Sequence, residues 1–374
     1  MKIGIITFHN SDNYGAVLQT LALQKKLSEL NNDVYIINYI CKSKINMYKI
    51  FRINKNNSIK SNIRAVIDIP FRVIKRRRIC KITKTMYNIS NDIFYSSSEI
   101  EKADLNYDIY ICGSDQVWNY ENTKFDKTYF LNFEKKYNKK MSYAASFGIN
   151  QIDKKYEKEY IELINEIKYL SVREETGKNI IKNLTNRECE VVLDPTLLLN
   201  QEKWISYTNT RNRYKNYILL YSLNNKKEIY SIAKKLSNLT GCRILQINTG
   251  GLKDLASTFK NIIPNPLEFV NLINGANYII TDSFHGTAFS VNLNKNFFVY
   301  LGKGLKSHSR IIDLLTKCGL TDRIIIENKE LDLSDINYNE ANKILESERE
   351  KSMNFIINSL TDSKNNNQKK YVYD

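Results

Sequence analysis

Histidine and cysteine are scarce and scattered in this chain of 374 residues, which argues against a metal or disulfide framework. There are three histidines, and the six cysteines stand at positions 41, 80, 112, 189, 242 and 318. No two cysteines are close enough for a CxxC pair, and none has zinc-like spacing to a histidine. We therefore expect no metal site built on histidines, and reduced cysteines that pack as small apolar residues.

Long apolar runs and a secretion signal are also absent. No segment approaches the roughly 18 apolar residues that a bilayer-spanning helix needs. Residues 2–6, KIGII, begin a core strand at once, so we expect no signal peptide. The expected location is the cytoplasm, with the inner face of the cell membrane as an option because the chain is strongly basic.

Several motifs of known chemistry are missing. There is no P-loop, no GxGxxG after the first strand, and no Ser-His-Asp order. An aromatic RNP-like stripe for RNA is absent too, and we interpret the 25 tyrosines as core and interface residues. Only the net charge favours a nucleic-acid partner, and charge is blind to base sequence. We therefore expect no nucleic acid.

The most pronounced feature of the composition is its excess of positive charge. The net charge of +16 at pH 7 indicates an anionic partner or, alternatively, a solvated Lys-rich surface. The stretch 64–84 mixes Arg and Lys with Ile, Val and Phe, inside a basic and helical segment at 41–104. Such a stretch can lie on an anionic membrane face, or it can cover a protein core with one apolar stripe. Both interpretations stay open.

The residues 277–300, NYIITDSFHGTAFSVNLNKNFFVY, are typical of a strand, a loop, a helix and a second strand. Asp282 and Ser283 are common helix caps, and Gly286 marks a tight turn. His285 then stands at the start of the helix, at the carboxyl end of a strand, where open α/β sheets bind ligands. A helix start offers N–H groups and a positive dipole end, which suit a phosphate or carboxylate. The pattern predicts an anion site with an acid–base group beside it.

The chain opens with a predicted βαβ unit: a strand at 3–7, a helix at 16–30 and a second strand at 34–38. The loop between the first strand and the helix, FHNSDNYGA, is polar and contains glycine. Asn13 and Tyr14 could therefore face a ligand at the edge of the sheet. Equally, the asparagine and aspartate side chains of this loop could only shape it and cap the helix.

Four more apolar runs before residue 200 each end in a polar loop. These runs are followed in turn by Gly113, Gly148, Arg173 and Asp194. Because the carboxyl ends of parallel strands share one edge of a sheet, we expect the four loops to lie together.

The alternation of strands and helices predicts two doubly wound, Rossmann-like α/β domains that face each other across a cleft. The N-terminal domain, 1–200, would carry the basic insertion 41–104 and the acceptor side. The C-terminal domain, 201–330, would carry the donor-anion loop 281–287. Residues 331–374 would form a helix that crosses back onto the first domain, with a frayed tail from 363.

Six motifs, in this order and spacing, resemble the polysaccharide pyruvyl transferase family. The motifs are NYGAVLQTLALQKKL, GSDQVWN, YAASFG, SVREETG, DPTLLL and TDSFHGTAFS. The likeness runs from residue 1 to about 326, and no family motif is seen within 41–104 or after 327. The resemblance implies a GT-B-like fold of two domains. It also implies transfer of a pyruvyl group from phosphoenolpyruvate to two hydroxyls of a sugar, which forms a cyclic ketal without a metal or other cofactor.

The resemblance also implies roles for particular residues. The histidine of the family's D-x-x-H-G stretch acts on the donor and the arginine of S-x-R-[DE] helps to hold it, which are His285 and Arg173 here. The acceptor would be a cell-surface or cell-wall glycan, such as an exopolysaccharide, or its lipid-linked precursor. The other candidates for the donor site are Ser283, Gly286, Thr287, Lys303, Lys306 and Arg310. The candidates for the acceptor side are Asn13, Tyr14 and Asp115.

The chemistry of phosphoenolpyruvate fits these residue types. Its carboxylate and phosphate suit the planar fork of an arginine, and its negative charge would favour a protonated imidazole. We expect His285 and Arg173, from separate domains, to converge on this donor.

Two other functions compete with pyruvyl transfer. A GT-B glycosyltransferase that uses a nucleotide sugar would share the fold and a basic cleft, although no acidic residue follows the anion loop at a place suited to a ribose. A non-catalytic glycan-assembly factor at the membrane surface would rely on the stretch 64–84 instead.

Overall fold

Each half of the chain folds around its own parallel β-sheet, because short apolar runs alternate with amphipathic helices. The computed structural model describes residues 1–43, 58–208, 212–224, 227–249, 251, 259–302, 308–325 and 330–368. By its contacts the chain divides into two units. The first unit comprises residues 1–47, 86–198 and 345–374, and the second comprises 48–85 and 199–344.

The first unit contains a four-stranded parallel sheet in the order β2-β1-β3-β4, flanked by a parallel pair of short strands, β5 and β6. The strand order reverses between β1 and β3, so a topological switch point lies there. The strands are β1 (Lys2–Ile6), β2 (Asp33–Ile36), β3 (Ile109–Cys112), β4 (Lys140–Ser142), β5 (Ser171–Val172) and β6 (Glu190–Val191).

Helices cover the sheet of the first unit, and aromatic side chains fill much of its core. Trp118 is fully buried and stacks on Phe130 with ring centroids 5.2 Å apart. The helices are Tyr14–Glu29, Ser97–Ala103, Tyr120–Thr123, Lys154–Asn165, Glu175–Thr185 and Pro195–Leu198, with 3-10 turns at Lys127–Phe130 and Tyr137–Lys139.

The second unit contains a five-stranded parallel sheet in the order β11-β10-β7-β8-β9. Its switch point lies between β7 and β10, which are neighbours in the sheet but distant in sequence. The strands are β7 (Tyr217–Tyr221), β8 (Arg243–Ile247), β9 (Lys260–Ile262), β10 (Tyr278–Thr281) and β11 (Phe297–Val299). The helices are Ile59–Ile67, Ile69–Met86, Gln201–Tyr207, Lys227–Thr240, Pro266–Gly275, Phe284–Asn292 and Ser309–Lys317, with a 3-10 turn at Thr321–Arg323.

These two parallel sheets confirm the prediction of doubly wound α/β architecture. The division of the chain by contacts differs from the predicted boundaries at two places. The second unit extends to residue 344, whereas we placed the end of the C-terminal domain at 330. We placed all of 41–104 in the N-terminal domain, but residues 48–85 group with the second unit. The reason is visible in the contacts, since Lys75 Nζ donates a hydrogen bond to the carbonyl of Thr249 at 2.9 Å.

The C-terminal helix, Asn339–Gln368, begins in the second unit and belongs to the first unit from residue 345. Ser352 Oγ accepts a hydrogen bond from Leu193 N at 2.9 Å, and Arg349 Nε donates to the carbonyl of Leu197 at 2.8 Å. The predicted return of this helix to the first domain is therefore confirmed. The predicted fraying from residue 363 is wrong as far as residue 368, because the helix continues and Ser363 Oγ bonds to the carbonyl of Asn138.

None of the helices within the described part of the chain combines the length and the apolar character needed to cross a membrane.

Candidate functional site

The loop after β10 lies at the switch point of the second sheet and is tied to the loop after β7. The carboxylate of Asp282 accepts hydrogen bonds from Ser222 Oγ at 2.8 Å, Leu223 N at 2.7 Å and Asn224 N at 3.1 Å. We predicted a cap of the following helix for this aspartate, whereas the structure gives it the role of joining two strand ends. Ser283 alone is the helix cap.

Ser283 organises the first turn of the helix Phe284–Asn292. Its Oγ accepts from Gly286 N at 3.5 Å, and its carbonyl accepts from Thr287 N at 2.9 Å and Thr287 Oγ1 at 3.0 Å. The N–H groups of Gly286 and Thr287 are thus engaged within the helix. An anion bound at this end of the helix would therefore contact the first two residues, Phe284 and His285, rather than Gly286 and Thr287.

Gly286 is required for close packing of the helix against the sheet. A Cβ atom at this position would lie 2.3 Å from Thr281 Oγ1 and 3.1 Å from Tyr221 Cδ1. No side chain fits there without displacement of the helix start. The glycine therefore fixes the distance between the sheet and the residue before it, His285.

His285 is the second residue of this helix, and only 6% of it is exposed. Its ring lies 5.2 Å from the ring of Phe284, measured between centroids. The guanidinium carbon of Arg310 lies 5.7 Å from the centre of the same phenylalanine ring. The structure thus brings one of the three predicted basic residues to the start of the histidine helix. Lys303 and Lys306 lie outside the described residues.

In the first unit, four loops at the carboxyl edge of the sheet meet around Arg173. Its Nη1 lies 2.8 Å from Asp194 Oδ2, its Nη2 3.4 Å from Asp115 Oδ1 and its Nε 3.7 Å from Glu174 Oε2. Ser114 Oγ also donates to Asp194 Oδ2, at 2.8 Å. The expectation that these loops lie together is confirmed.

The Arg173 side chain is fully buried, and its environment is negative. Burial alone would lower the pKa of the guanidinium, but the three carboxylates outweigh it, with Asp194 the strongest, so the pKa of Arg173 is raised above its ordinary value. One guanidinium faces three carboxylates, which does not favour a phosphate at this point. Its function as a donor ligand stays a prediction; the contacts are those of a group that joins strand ends.

Asp115 is the most exposed of the three carboxylates, with 17% of its side chain accessible. Its backbone is in the left-handed region at φ 82°, which is uncommon for a residue other than glycine. Its Oδ1 also accepts from Gln116 N at 2.8 Å, so the carboxylate is held at the sheet edge by its own loop and by Arg173.

The other two predicted acceptor residues begin the helix Tyr14–Glu29. Asn13 is its N-cap, with Oδ1 accepting from Gly15 N at 2.9 Å and Ala16 N at 3.3 Å. Tyr14 is fully buried. The capping interpretation of Asn13 is confirmed, and the contact of either residue with an acceptor stays a prediction.

Sequence reasoning did not single out Glu174 as a member of this cluster. Its Oε1 accepts hydrogen bonds from Ser146 Oγ at 2.8 Å, Phe147 N at 3.0 Å and Gly148 N at 3.3 Å. Glu174 thereby joins the loops after β4 and β5. The feature of the sequence that could have identified Glu174 is its position directly after a predicted strand and beside Arg173.

A separate open cavity of about 590 Å³ lies in the second unit, beside β9 and the helix Pro266–Gly275. Its lining includes Arg78, Arg213 and Lys260, and none of the residues predicted for the donor or the acceptor.

Comparison with known proteins identifies the fold and the family. A Listeria monocytogenes protein described as a UDP-N-acetylglucosamine 2-epimerase superposes with a TM-score of 0.50 at 10% identity, covering 97% of this chain and 89% of the other. The UDP-GlcNAc 2-epimerase of Methanocaldococcus jannaschii gives 0.48 at 16% identity, with 93% and 99% covered. The Listeria likeness and the two parallel sheets confirm the predicted GT-B-like α/β fold.

An O-GlcNAc transferase variant from Thermobaculum terrenum gives a TM-score of 0.43 at 10% identity. The match covers 97% of this chain and 64% of the transferase, so this chain spans less than two thirds of that protein. Among curated protein sequences, no significant match was found.

The sequence model of one family, described as polysaccharide pyruvyl transferase, matches residues 13–302. This span begins at Asn13, the cap of the first helix, and includes the Arg173 cluster and the His285 helix. The match covers most of the chain and follows the motif order noted in the sequence, so the chain belongs to the polysaccharide pyruvyl transferase family.

Proposed function

We propose that this protein transfers a pyruvyl group from phosphoenolpyruvate to two hydroxyls of one sugar, forming a cyclic ketal. The sugar would belong to a cell-surface polysaccharide or to its lipid-linked precursor. The observation that carries the proposal is the position of His285, at the first turn of a helix that leaves the switch point of the second sheet, in a chain of this family.

His285 would act as the general acid. Its imidazolium would protonate the methylene carbon of the enol, which leaves positive charge on the adjacent carbon. A sugar hydroxyl attacks that carbon, the carbon–oxygen bond to phosphate breaks, and the second hydroxyl closes the ring. One of the two hydroxyl protons restores the proton that His285 gave to the methylene carbon. The other hydroxyl proton leaves with the phosphate. Two carbon–oxygen bonds form and one breaks, so the ketal and inorganic phosphate are the only products.

Donor binding would use the start of the His285 helix and Arg310. The positive end of the helix dipole favours the dianionic phosphate, and a guanidinium can bind a carboxylate or phosphate through two parallel hydrogen bonds. Arg310 suits this role because it lies beside Phe284, the residue that precedes His285. We keep Lys303 and Lys306 as further candidates on sequence grounds alone.

Acceptor activation would use Asp115. A carboxylate at the carboxyl edge of the first sheet can accept a proton from a sugar hydroxyl, provided that it stays ionised. The buried guanidinium of Arg173 places a positive charge 3.4 Å from Asp115 Oδ1. Arg173 would then support the reaction through Asp115, with Asn13 and Tyr14 shaping the adjacent loop.

The test compares His285→Ala with Ser290→Ala, a change on the same helix but about one and a half turns from His285. General acid catalysis is worth about 10²–10⁴-fold, so His285→Ala should bind phosphoenolpyruvate but release phosphate at least about 10²-fold more slowly with a competent glycan. Ser290→Ala should keep most of its turnover. Mass spectrometry of the glycan would identify the ketal. Near-normal turnover of His285→Ala would end the assignment of this residue.

Thermal stabilisation separates the proposed donor from nucleotide sugars. A ligand that binds only the native state raises its stability by about 2.7 kcal/mol at a hundred times its Kd. We expect a shift with phosphoenolpyruvate and none with UDP- or GDP-sugars. The opposite result would favour a glycosyltransferase.

A further inference from the structure

Of the helix pair Ile59–Ile67 and Ile69–Met86, the second helix contacts its unit through the face that carries Lys75, Arg78 and Ile79. Lys75 is buried and donates to the carbonyl of Thr249, while Arg78 Nη1 donates to the carbonyl of Ile263 at 2.5 Å. Ile79, one turn from Lys75, is also buried. These side chains hold the second helix against its unit, so the opposite face points away from these contacts.

Both helices carry exposed large apolar side chains. On the first helix, Ile63, Val66 and Ile67 follow one another at steps of three and one and are 55%, 48% and 46% exposed; on the second, Ile74 is 43% exposed. Ten large apolar residues are exposed within the described part of the chain, and four of them belong to this helix pair. Single exposed apolar residues are ordinary, but a cluster of this kind marks an interaction surface.

Basic side chains accompany these apolar residues. Arg77, Lys81 and Lys84 are exposed and follow Ile74 at steps of three, four and three, so they share its face of the helix. Arg64 is exposed beside Ile63 on the first helix. We call this set, from Arg64 and Ile63 to Lys84, the exposed basic face.

Acidic residues are absent from the exposed basic face. Between 59 and 86 the sequence has one acidic residue, Asp68, and this side chain is buried and paired with Arg72 at 3.0 Å. Pro70 is the second residue of the second helix, and it lacks the backbone N–H that would be needed to continue the first helix. The surface therefore combines apolar and positive groups without compensating negative charge.

We infer that the exposed basic face docks the protein onto a membrane surface that contains anionic phospholipids. Isoleucine and valine side chains enter the boundary between headgroups and acyl chains, and Arg and Lys pair with lipid phosphates. Charge complementarity favours this occupant over a second copy of the chain, which would bring two positive faces together. A peripheral contact of this kind places the enzyme where lipid-linked glycans are found, but it does not depend on pyruvyl transfer.

The first test measures co-sedimentation with two kinds of vesicle, one of phosphatidylcholine alone and one with equal amounts of phosphatidylcholine and phosphatidylglycerol. We expect binding to the second kind, which weakens as salt shortens the Debye length from about 10 Å at 0.1 M to about 3 Å at 1 M. The His285→Ala protein should bind as the wild type does, which separates docking from catalysis. Equal binding to both vesicles, or binding to neither, would overturn the inference.

The second test uses matched variants. Arg77→Gln with Lys81→Gln should lower partitioning onto anionic vesicles about 30-fold, since each basic residue near such a surface contributes about 1 kcal/mol. Ile67→Gln with Ile74→Gln should lower it about 10-fold or more, because burial of an isoleucine is worth about 1.5–3 kcal/mol when complete. All four side chains are exposed, so thermal stability should stay within about 0.5 kcal/mol.

The controls come from the helix Lys227–Thr240 of the same unit. Lys234 and Lys235 are exposed, as is Leu239 at 56%. Lys234→Gln with Lys235→Gln matches the loss of charge, and Leu239→Gln matches the loss of an apolar group. Wild-type binding by the controls supports the docking face; losses equal to those of the test variants would refute it. A change from dimer to monomer in the isoleucine variants, without loss of vesicle binding, would instead identify a protein interface.

Discussion

Arg173→Met asks whether the buried guanidinium holds together the carboxyl edge of the first sheet. The change keeps most of the apolar stem but removes the charge that faces three carboxylates. Asp194 and Glu174 have side chains that are 0% and 2% exposed, so water cannot replace the lost partner. The variant therefore leaves two buried carboxylates without the cation that faces them, and only neutral hydrogen-bond donors remain beside them.

The expected loss of stability is large. Removal of one partner from a buried ion pair typically costs about 3–5 kcal/mol, whereas an exposed pair contributes about 0.2–1 kcal/mol. We expect the upper end of the first range, because one guanidinium serves several carboxylates. The matched control is Lys182→Met, which removes a cation from an exposed pair with Glu188 and should cost less than about 1 kcal/mol.

The two tryptophans allow each unit to be followed separately. Trp118 lies in the first unit and Trp204 in the second, and both are fully buried. In a Trp204→Phe background, urea unfolding monitored by fluorescence reports on the first unit alone, which avoids treating a chain of two units as a single transition. Addition of Asp194→Asn to Arg173→Met should recover part of the loss, with a coupling of about 0.5–3 kcal/mol.

A loss no larger than that of Lys182→Met would refute this reasoning. The guanidinium would then be free to serve a ligand, and the sequence-based prediction of a donor contact would be favoured. Binding of phosphoenolpyruvate to the folded variant, measured by calorimetry, tests that prediction independently of stability.

Two further predictions concern packing and pH. Gly286→Ala should destabilise the second unit by about 1–3 kcal/mol through overpacking against Thr281, as reported by Trp204 fluorescence. Gly177→Ala, in the first unit, places its new Cβ at 3.3 Å or more from its neighbours and should be tolerated, as reported by Trp118 fluorescence. Equal losses of stability would contradict the packing argument. Burial raises the pKa of Tyr107 and Tyr110 to about 12, so the stability that these neutral phenols contribute is complete below about pH 10 and is lost as pH rises toward 12. Other tyrosines, such as Tyr95 and Tyr137, are exposed, and exposed phenols ionise at about pH 10. The part of the tyrosinate absorbance that is lost in the variant Tyr107→Phe with Tyr110→Phe should therefore appear together with unfolding of the first unit, and its appearance near pH 10 in a folded protein would be inconsistent with this burial.

The sequence alone determined the architecture and the family. The spacing of the apolar residues and the positions of the capping residues predicted the strand, loop and helix around His285. A buried parallel strand is a short apolar run, and the start of a helix needs a cap. The order of six motifs identified the family. Even the meeting of the loops at Gly113, Gly148, Arg173 and Asp194 followed from the rule that parallel strands end at one edge.

Tertiary structure decided what the polar residues at those strand ends contact. In the sequence, Asp282 and Ser283 are equally suited to cap the helix. In the structure Ser283 caps it, whereas Asp282 joins two strand ends, because the folded sheet brings the loop after β7 to Asp282. For Arg173 the sequence predicts a contact with the donor, which stays a prediction, whereas the fold shows contacts with carboxylates at the distant positions 115 and 194. The composition of the stretch 64–84 likewise does not determine which face of its helix packs against protein. Contacts such as Lys75 with Thr249 are long-range, and they alone select which side of the helix meets protein and which is left exposed.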